Sequence, residues 1–514
     1  MNRIKGTSRH QLEFTSLDTL ISGDNPVRVM DIFVDILELD KLGFKEVKVK
    51  KEGRPGFEPV VFLKLYLYGY YYGIRSSRKL EREAARNIEL HWLLEKLVPN
   101  YHSIADFRKE NPLALKNVFK LFVLFLKECD LVDGDVGAVD GTKVRAHNSK
   151  KNNYNPKKIE RHLEYIDKKT AQYFEALEEN DHAERNESLN DVEDKIVRLK
   201  QQRLSYELLG KQMEESGEPQ VSTTDPDSRA LLVHGQVVEV TYNVQAAVDQ
   251  KYKLVVATHT INRNDRNALS AIALEAKANL SSEKMTLLAD KGYHNGREIQ
   301  ICEDNQIETI VAHSVLVNSN DHGTTPEFMV DKFIYNSDSD TYTCPVDETL
   351  TTQGTWHKKS RSKNSSYQFK KYRTPACAAC AVRHLCTGRK QGGREIERSE
   401  YADAVDANRK RYHENPELYR KRQEINEHIF GTIKRVCGFC HTNLKGLKKV
   451  NGEFSFIMMV YNFKRVLNIL GIKETLEKLK NWKPNYDKIG LPLSNLTLLT
   501  PNKPIQHFFM NAAT

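Results

Sequence analysis

The stretch LLADKGYHNG, residues 287–296, places an acid directly after an apolar run. Residues 285–289 have the pattern of a short buried strand, and Asp290 follows at once, with Gly292 and Tyr293 close behind. Acids at the carboxyl end of a strand serve chemistry in many α/β proteins, but they also begin ordinary turns. The segments around this strand decide the fold class, and the other acids of the chain decide between the two interpretations of Asp290.

Strands and helices succeed one another on both sides of this stretch. Runs rich in β-branched residues predict three strands before it and one after it, and two amphipathic runs predict helices. The strands are expected at 136–146, 237–249, 253–261 and 308–314, and the helices at 265–278 and 296–305. Three strands followed by alternating helix and strand predict an α/β fold with a mixed sheet.

Two long segments interrupt the predicted sheet. In the first, apolar residues recur at spacings of three and four, as at Ile159, Leu163 and Ile166, and a second run repeats the pattern after a polar link. Two such helices predict an antiparallel coiled-coil hairpin over 155–215. The second segment, 313–405, is polar and contains four clustered cysteines, which predicts a separate cysteine-containing insertion.

The N-terminal part of the chain has a mostly helical pattern. Short helices joined by tight turns and carrying basic residues suit a helix-turn-helix-like DNA-binding domain, while a plain helical domain with a solvated basic face fits equally well. Ser103 is predicted to cap one of these helices, with Asp106 three residues later. The predicted parts of the chain are a helical domain at 1–130, an α/β core at 131–312 and 406–475, the two insertions at 155–215 and 313–405, and a tail at 476–514.

The composition fits a globular protein that is compatible with a polyanion partner. Of the 514 residues, 39% are hydrophobic and 29% charged, and the net charge is +9. No run of about 18 apolar residues predicts a membrane span, and the first residues lack the apolar segment of a secretory signal. Eight cysteines are too few for a disulfide scaffold, so a reducing, cytoplasmic compartment is expected.

Two acids of the predicted sheet are candidates for a metal site. Asp140 lies inside an apolar strand, where an unpaired charge is costly, and Asp290 ends another strand. On neighbouring parallel strands these carboxylates would repel each other unless a divalent cation lies between them. Oxygen ligands of this kind suit Mg²⁺.

A third acid is expected on the basic helix at 415–436. Glu427 shares one helical face with Phe430 and Lys434, so an acid and a cation lie two turns apart on that face. Glu424 lacks this alignment, and Glu427 is therefore the preferred candidate. The excess of lysine and arginine around this helix is what a phosphodiester substrate requires.

Three motifs of the chain resemble those of a known enzyme family. AVDGTKVRA (138–146), LLADKGYHNG and YRKRQEINEHIFGTIKR (419–435) resemble, in order, the three acidic motifs of DDE-type insertion-sequence transposases. The third motif is similar to that of the branch with a Tyr-Arg-Glu-Lys signature, carried here by Tyr419, Arg422, Glu427 and Lys434. Arg422 departs from the usual spacing by one residue. The resemblance extends over the N-terminal helices and a late helix, from about residue 10 to 471.

The resemblance implies an RNase H-like catalytic core and a reaction. Asp140 on the first strand, Asp290 after the fourth and Glu427 on a late helix would hold two Mg²⁺ or Mn²⁺ ions for strand cleavage and strand transfer at the ends of an insertion sequence. The implied DNA contacts are Tyr419, Arg422 and Lys434 near the scissile bond and Arg78, Arg82 and Arg108 in the N-terminal domain. The implied partners are double-stranded DNA, as terminal inverted repeats and target, and further copies of the chain in a homodimer or larger synaptic assembly; a nucleoid-associated location follows, with no membrane.

Two other functions fit the same motifs. One is a catalytically silent DNA-binding regulator that keeps the fold, against which the presence of all three acids argues. The other is an RNase H-like nuclease that acts outside transposition. As a third possibility for Asp140 and Asp290 alone, both are ordinary turn acids.

The remaining cysteines, acids and histidines have simpler interpretations. A Cys-x2-Cys pair with two further thiols fits a structural Zn²⁺ site, and four reduced thiols without metal are the alternative; the residues are Cys344, Cys377, Cys380 and Cys386. Cys437 and Cys440 lie in an apolar context that favours packed thiols. Asp265 is predicted to cap the N-terminus of a helix, and His259 is predicted to be a core histidine.

Overall fold

The computed structural model describes residues 10–12, 14–45, 56–182, 189–233, 236–313, 324–362, 365–389 and 391–489. The predicted tail beyond residue 489 and part of the polar link in the hairpin lie outside the described residues. Within those ranges, no helix has both the length and the apolar character that crossing a bilayer requires.

The N-terminal part is helical, as predicted. Its helices are α1 (Pro26–Asp35), α2 (Pro59–Tyr71), α3 (Ser77–Ala84), α4 (Ile88–Leu93), α5 (Tyr101–Glu110) and α6 (Pro112–Glu128). Asparagine side chains accept the free N–H groups at the starts of α1, α4 and α5. The prediction that Ser103 caps α5 is wrong: the helix begins two residues earlier, and Asn100 accepts the Ser103 N–H at 2.9 Å.

The central region follows in chain order. Its strands are β1 (Val136–Arg145), β2 (Asn153–Tyr154), β3 (Val221–Ser222), β4 (Arg229–Val233), β5 (Val237–Asp249), β6 (Val255–Ile261), β7 (Met285–Ala289) and β8 (Ile307–Val311). Its helices are α7 (Pro156–His182) and α8 (Leu189–Ser216), which form the hairpin, and α9 (Leu269–Leu280) and α10 (Gly296–Asp304), which belong to the sheet. The sequence pattern predicted these elements except the three short strands β2, β3 and β4.

The main sheet is mixed, as the sequence predicts. The strands run in the order β4-β5-β1-β7-β8, and β6 also pairs with β5. β5 pairs antiparallel with β1, β4 and β6, whereas β1–β7 and β7–β8 are parallel. Parallel strands need crossovers of a dozen or more residues, and in this chain α9 and α10 are parts of those crossovers.

The C-terminal helices cover this sheet. They are α12 (Ala402–Glu414), α13 (Pro416–Gly431), which continues into a π-helical turn at Thr432–Val436, and α14 (Leu447–Asn481), which is interrupted at Gly471 with φ 75°. Helix α11 (Arg383–Cys386), a single turn, lies in the cysteine-containing insertion and not in this group. α14 therefore extends past residue 475, where the sequence placed the start of the tail.

One hydrophobic core joins the N-terminal helices to the sheet. Rings of α1, α6 and α14 meet at Phe33, Phe122 and Phe463, with ring centroids 5.3–6.1 Å apart. Asn462 of α14 pairs with both the N–H and the C=O of Val255 on β6, and Asn408 of α12 does the same for Val311 on β8. These amides satisfy backbone groups of the outer strands that would otherwise be buried without partners.

The first insertion is a helical hairpin, as predicted. Buried Ile159 and Ile166 of α7 and Ile196 of α8 lie in the contact between the two helices. The rings of His162 and Tyr206 stack across the pair at 4.7 Å. The β2–β3 ribbon closes the base of the hairpin.

The second insertion is a small β-sheet domain with its own core. Its strands are β9 (Ile334–Asn336), β10 (Thr341–Thr343), β11 (Thr349–Thr352), β12 (His357–Ser362), β13 (Ser365–Arg373) and β14 (Ile396–Ser399). They run in the order β12-β13-β11-β10-β9, and β14 also pairs with β13. Among its described residues, one core cluster joins the buried side chains of Phe333, Tyr342, Leu350, Tyr372 and Ile396.

Candidate active site

Asp140 and Asp290 occupy matching positions on two adjacent parallel strands. β1 pairs with β7 up to Ala138 and Leu288, and each aspartate lies two residues further on in an extended backbone. Because neighbouring strands lie about 4.8 Å apart and both acids have the same offset, their side chains leave the sheet side by side. The structure thus brings together the first two acids that the sequence singles out.

The electrostatics of Asp140 reflect this crowding. Its Oδ1 accepts the Gly141 N–H at 2.8 Å. Burial raises the pKa of Asp140 to about 6; the Gly141 hydrogen bond opposes that shift, and the negative charge of Asp290 adds to it. A carboxyl that resists ionisation in this way gains most from a nearby cation.

The turn after β7 holds Asp290 in place. Asp290 Oδ1 accepts the Gly292 N–H at 2.7 Å, so the acid caps its own short turn. A Cβ on Gly292 would lie 2.9 Å from that same oxygen, and glycine therefore lets the backbone approach the carboxylate. Tyr293, next in the chain, is buried, and its hydroxyl donates to Gln245 Oε1.

Helix α13 brings two signature residues to the acids. The helix packs on β1, and its Ile425 and Ile429 are buried. The positive charge of Arg422 opposes the rise that burial causes in the pKa of Asp140, and the Arg422 guanidinium carbon lies 5.7 Å from the centre of the Tyr419 ring. Burial raises the pKa of Tyr419, to which the charge of Asp290 also contributes.

The two acids that follow on α13 are both exposed. Glu427 Oε1 accepts a hydrogen bond from Gln423 at 2.7 Å, one turn earlier on the same helix. Glu424 points elsewhere and forms an ion pair with Lys253 at 3.1 Å. Glu427 therefore stays the candidate for the third acid, although the structure shows no contact that joins it to Asp140 or Asp290 within the described residues.

Lys434 lies against β1. Its Nζ donates to the Lys143 carbonyl of β1 at 2.7 Å, and burial lowers its pKa. The predicted contact of Lys434 with phosphate stays a prediction, and in this structure its Nζ pairs with the protein backbone.

Asp265 does not act as a simple helix cap, contrary to the prediction. It begins a 3-10 turn, and α9 starts only at Leu269. Its carboxylate accepts hydrogen bonds from Asn243 and Gln245 of β5 and pairs with Lys143 of β1. Its charge raises the pKa of Asp140, so it lies within electrostatic reach of the acids.

The sequence did carry a signal for this network. Asn243 and Gln245 are fully buried polar residues two apart in β5. Buried polar side chains need hydrogen-bond partners, and period-two spacing puts both on one face.

The basic residues of the N-terminal helices divide into two groups. Arg78 and Arg82 of α3 are exposed, as a DNA contact requires. Arg108 is only 6% exposed and pairs with Glu453 of α14 at 3.1 Å, while it donates to the Tyr70 hydroxyl at 2.8 Å. The structure corrects the prediction that Arg108 binds DNA, because the side chain is enclosed between α2, α5 and α14. His259 is predicted to be a core histidine, but its side chain is 29% exposed, and its Nδ1 lies 3.8 Å from a carboxylate oxygen of Glu275.

The four clustered cysteines surround one pocket of the small β-sheet domain. Cys344, Cys377, Cys380 and Cys386 are all free, half-buried thiols and line it together with apolar side chains. Burial raises the pKa of Cys386, and the other three thiols add to the shift. Cys437 and Cys440 are likewise free thiols.

The described ranges contain no group of three or more His, Cys, Asp and Glu side chains in the arrangement of a metal site. The chemistry of Asp140 and Asp290 nevertheless fits a divalent cation, since both are oxygen donors, they are adjacent, and one is costly to ionise.

Comparisons with known proteins point in one direction. Residues 15–110 match a family described as "Transposase domain (DUF772)", and residues 343–467 match a family described as "Transposase DDE domain". The second match contains Glu427 and the four cysteines; Asp140 and Asp290 lie between the two matches. A search of curated proteins gives no match.

Among solved structures, one similar chain is that of the "piggyBac transposase synaptic complex with hairpin DNA (SNHP)". It shares 8% identity, the likeness covers 91% of this chain and 78% of that chain, and the TM-score is 0.31. A likeness at that TM-score does not establish a shared fold. In two separate regions, then, the chain is similar in sequence to transposases, and the second of these regions is similar to their DDE domain.

Proposed function

We propose that this protein is a DNA transposase that cleaves DNA strands and transfers them at the ends of an insertion sequence. The observation that carries the proposal is the juxtaposition of Asp140 and Asp290 on adjacent parallel strands, beside Arg422 of α13. The two transposase matches in sequence support it independently.

The strand order supports an RNase H-like core. Through β6, β5, β1, β7 and β8, the sheet has the strand order that the resemblance implies. β5 is antiparallel to both β6 and β1, and β7 and β8 are parallel to β1. In that arrangement the first acid lies on the central strand and the second at the end of its parallel neighbour. Asp140 and Asp290 have these positions.

In this proposal Asp140, Asp290 and Glu427 hold divalent cations of the Mg²⁺ or Mn²⁺ type. Bound there, such ions would supply charge stabilisation for the attacking and leaving oxygens at phosphorus. Asp140 and Asp290 contribute hard oxygen donors from a rigid sheet. Arg422, beside Asp140, offsets negative charge at the place where a phosphodiester would lie.

The substrate contacts are proposed for exposed cations and for the signature residues of α13. Arg78 and Arg82 would hold the DNA backbone away from the acids, and Arg422 and Tyr419 would hold it close to them. Joining two element ends requires two active sites, so we expect a homodimer or larger assembly on DNA.

A cleavage assay tests the function. The DNA that flanks the gene supplies the candidate terminal repeats, and the purified chain is incubated with labelled end duplexes and Mg²⁺. Cleavage at the repeat end, lost in Asp140→Asn, Asp290→Asn and Glu427→Gln but kept in the exposed control Asp304→Asn, is the expected result. DNA binding without cleavage would favour a regulator, and cleavage of unrelated duplexes would favour a nuclease outside transposition.

A structural Zn²⁺ site is proposed for the second insertion. The support is that four thiols line one pocket of a small domain, whose core cluster has five buried side chains among the described residues. Zinc analysis of the purified chain, with Cys377→Ser and Cys380→Ser as variants, tests it. About one zinc per chain in the wild type, lost in both variants, is expected; a zinc-free, fully folded wild type contradicts the site.

A further inference from the structure

A single carboxylate joins the strands and turns that carry the two catalytic aspartates. Asp265 Oδ1 accepts from Asn243 Nδ2 at 2.7 Å and from Gln245 Nε2 at 2.8 Å, and Oδ2 accepts from Lys143 Nζ at 3.1 Å. Three donors from β5 and β1 thus fix a side chain that is 22% exposed. Charge-assisted hydrogen bonds of this kind are roughly twice as strong as neutral ones.

The backbone next to Asp140 rests directly on this carboxylate. A Cβ placed on Gly141 would lie 2.7 Å from Asp265 Oδ1 and would overlap Gln245 Nε2. Only glycine lets β1 approach so closely. The position of Gly141, and with it that of the preceding Asp140, therefore depends on where Asp265 and Gln245 lie.

The turn that carries Asp290 reaches the same network. A Cβ on Gly292 would lie 3.8 Å from the Asp265 Cβ, so the two turns lie close together with no room for more than a methyl group between them. The hydroxyl of fully buried Tyr293 donates to Gln245 Oε1, while the amide of Gln245 donates to Asp265. Gln245 thereby couples Asp265 to the Asp290 turn.

We propose that Asp265 is a positioning residue, which sets the relative placement of Asp140 and Asp290 by anchoring the backbone that follows each of them. The inference rests on the proposed function for its consequence in catalysis, but its structural content does not. Asp265 acts through Gly141, Gln245 and Tyr293, and it needs no contact with substrate or metal.

Asp265→Asn removes this anchor with almost no change in volume. The asparagine side chain has one acceptor oxygen and one NH₂ donor, whereas Asn243, Gln245 and Lys143 all donate to this position. In either orientation of the amide, its NH₂ therefore faces at least one other donor. With its oxygen toward Asn243 and Gln245, its NH₂ faces Lys143. In the double variant Asp265→Asn with Lys143→Gln, the NH₂ no longer faces a cation, and the clash between donors is relieved.

Turnover and DNA binding are measured separately for the wild type and for these variants. Asp265→Asn is expected to lower kcat about 10- to 100-fold, the range typical of residues that orient metal ligands, with KM for the DNA changed by less than about twofold. The double variant is expected to recover at least about tenfold of that loss. Asp304→Asn, an equal charge removal at an exposed site, is expected to match the wild type.

A second measurement does not depend on catalysis. Hydrogen exchange of the metal-free protein, followed by mass spectrometry, is expected to speed up in Asp265→Asn for peptides covering residues 139–145 and 287–296, and to stay unchanged elsewhere. If the wild type fails to cleave DNA, the proposed function fails, yet this exchange pattern still tests the positioning role.

Three results would overturn the inference. An unchanged kcat together with unchanged exchange shows that the acids do not depend on Asp265. Faster exchange over the whole chain shows a general structural role. A low kcat in the double variant, with exchange restored to that of the wild type, shows that the carboxylate itself contacts metal or substrate.

Discussion

Replacing Asp140 by Asn is expected to stabilise the metal-free protein at neutral pH while it abolishes cleavage. In the folded protein burial raises the pKa of Asp140 from 3.8 to about 6. The unfolded chain loses this proton near pH 4 and the folded chain only near pH 6, so the free energy of unfolding falls as the pH rises between those values and stays lower above them. A difference of about two pH units corresponds to about 3 kcal/mol at most.

Asparagine removes this cost and keeps the local geometry. Its Oδ1 can still accept the Gly141 N–H, and its size is that of aspartate. Thermal unfolding without divalent metal is therefore expected to show a higher midpoint for Asp140→Asn than for the wild type at pH 7.5, and no difference at pH 4. Added Mg²⁺ is expected to raise the midpoint of the wild type and to leave that of the variant nearly unchanged, because ligand binding to the folded state stabilises it.

Either of two results would contradict the prediction for Asp140→Asn. If Asp140→Asn is less stable than the wild type at pH 7.5, Asp140 is held by favourable contacts and is not a costly charge. If its gain persists at pH 4, the gain does not come from ionisation. Asp304→Asn, measured alongside, controls for the loss of one negative charge, since that side chain is exposed.

Three further predictions concern the buried ion pair, the glycine of the first motif and the exposed arginines. Arg108→Met is expected to lower the free energy of unfolding by about 3–5 kcal/mol, because Glu453 is left buried without its ion-pair partner. Adding Glu453→Leu is expected to recover most of that loss. A stable Arg108→Met variant with weakened DNA binding would instead show that Arg108 contacts DNA. Gly141→Ala is expected to cost about 1–3 kcal/mol in chemical denaturation, since its Cβ would overlap the network beneath it, and an unchanged midpoint would show that the network can move aside. In the double variant Arg78→Ala with Arg82→Ala, the slope of the logarithm of the DNA-binding constant against the logarithm of the salt concentration is expected to become shallower by about 1.8, with no change in thermal stability. An unchanged slope would show that α3 does not contact DNA.

Local patterns were enough to predict most of the elements. Alternation in residues 136–146 and apolar runs at 237–249 and 285–289 predicted β1, β5 and β7, because period-two burial leaves a direct trace in sequence. The heptad spacing predicted the hairpin for the same kind of reason. β4 escaped prediction, since five residues after a polar loop carry too little pattern to stand out.

The site was predicted in part, and the misses share one cause. Local spacing predicts Ser103 and Asp265 to be helix caps, yet Asn100 caps the first helix and the second helix starts four residues after Asp265. A basic residue on a short N-terminal helix predicts a DNA contact for Arg108, whereas the partner that permits its burial, Glu453, lies 345 residues away. No local window contains such a partner.

The sequence by itself determined the elements, the mixed sheet and the order of the three acids, because these depend on residue type and on short-range spacing. Only the tertiary structure decided that Asp140 and Asp290 lie side by side, since that depends on the register between β1 and β7, and 149 residues lie between the two acids in sequence. It alone decided that Asp265 anchors them, because Lys143, Gln245 and Tyr293 come from separate strands and turns. Contacts between distant segments follow from how the strands pair, and pairing is a property of the whole sheet.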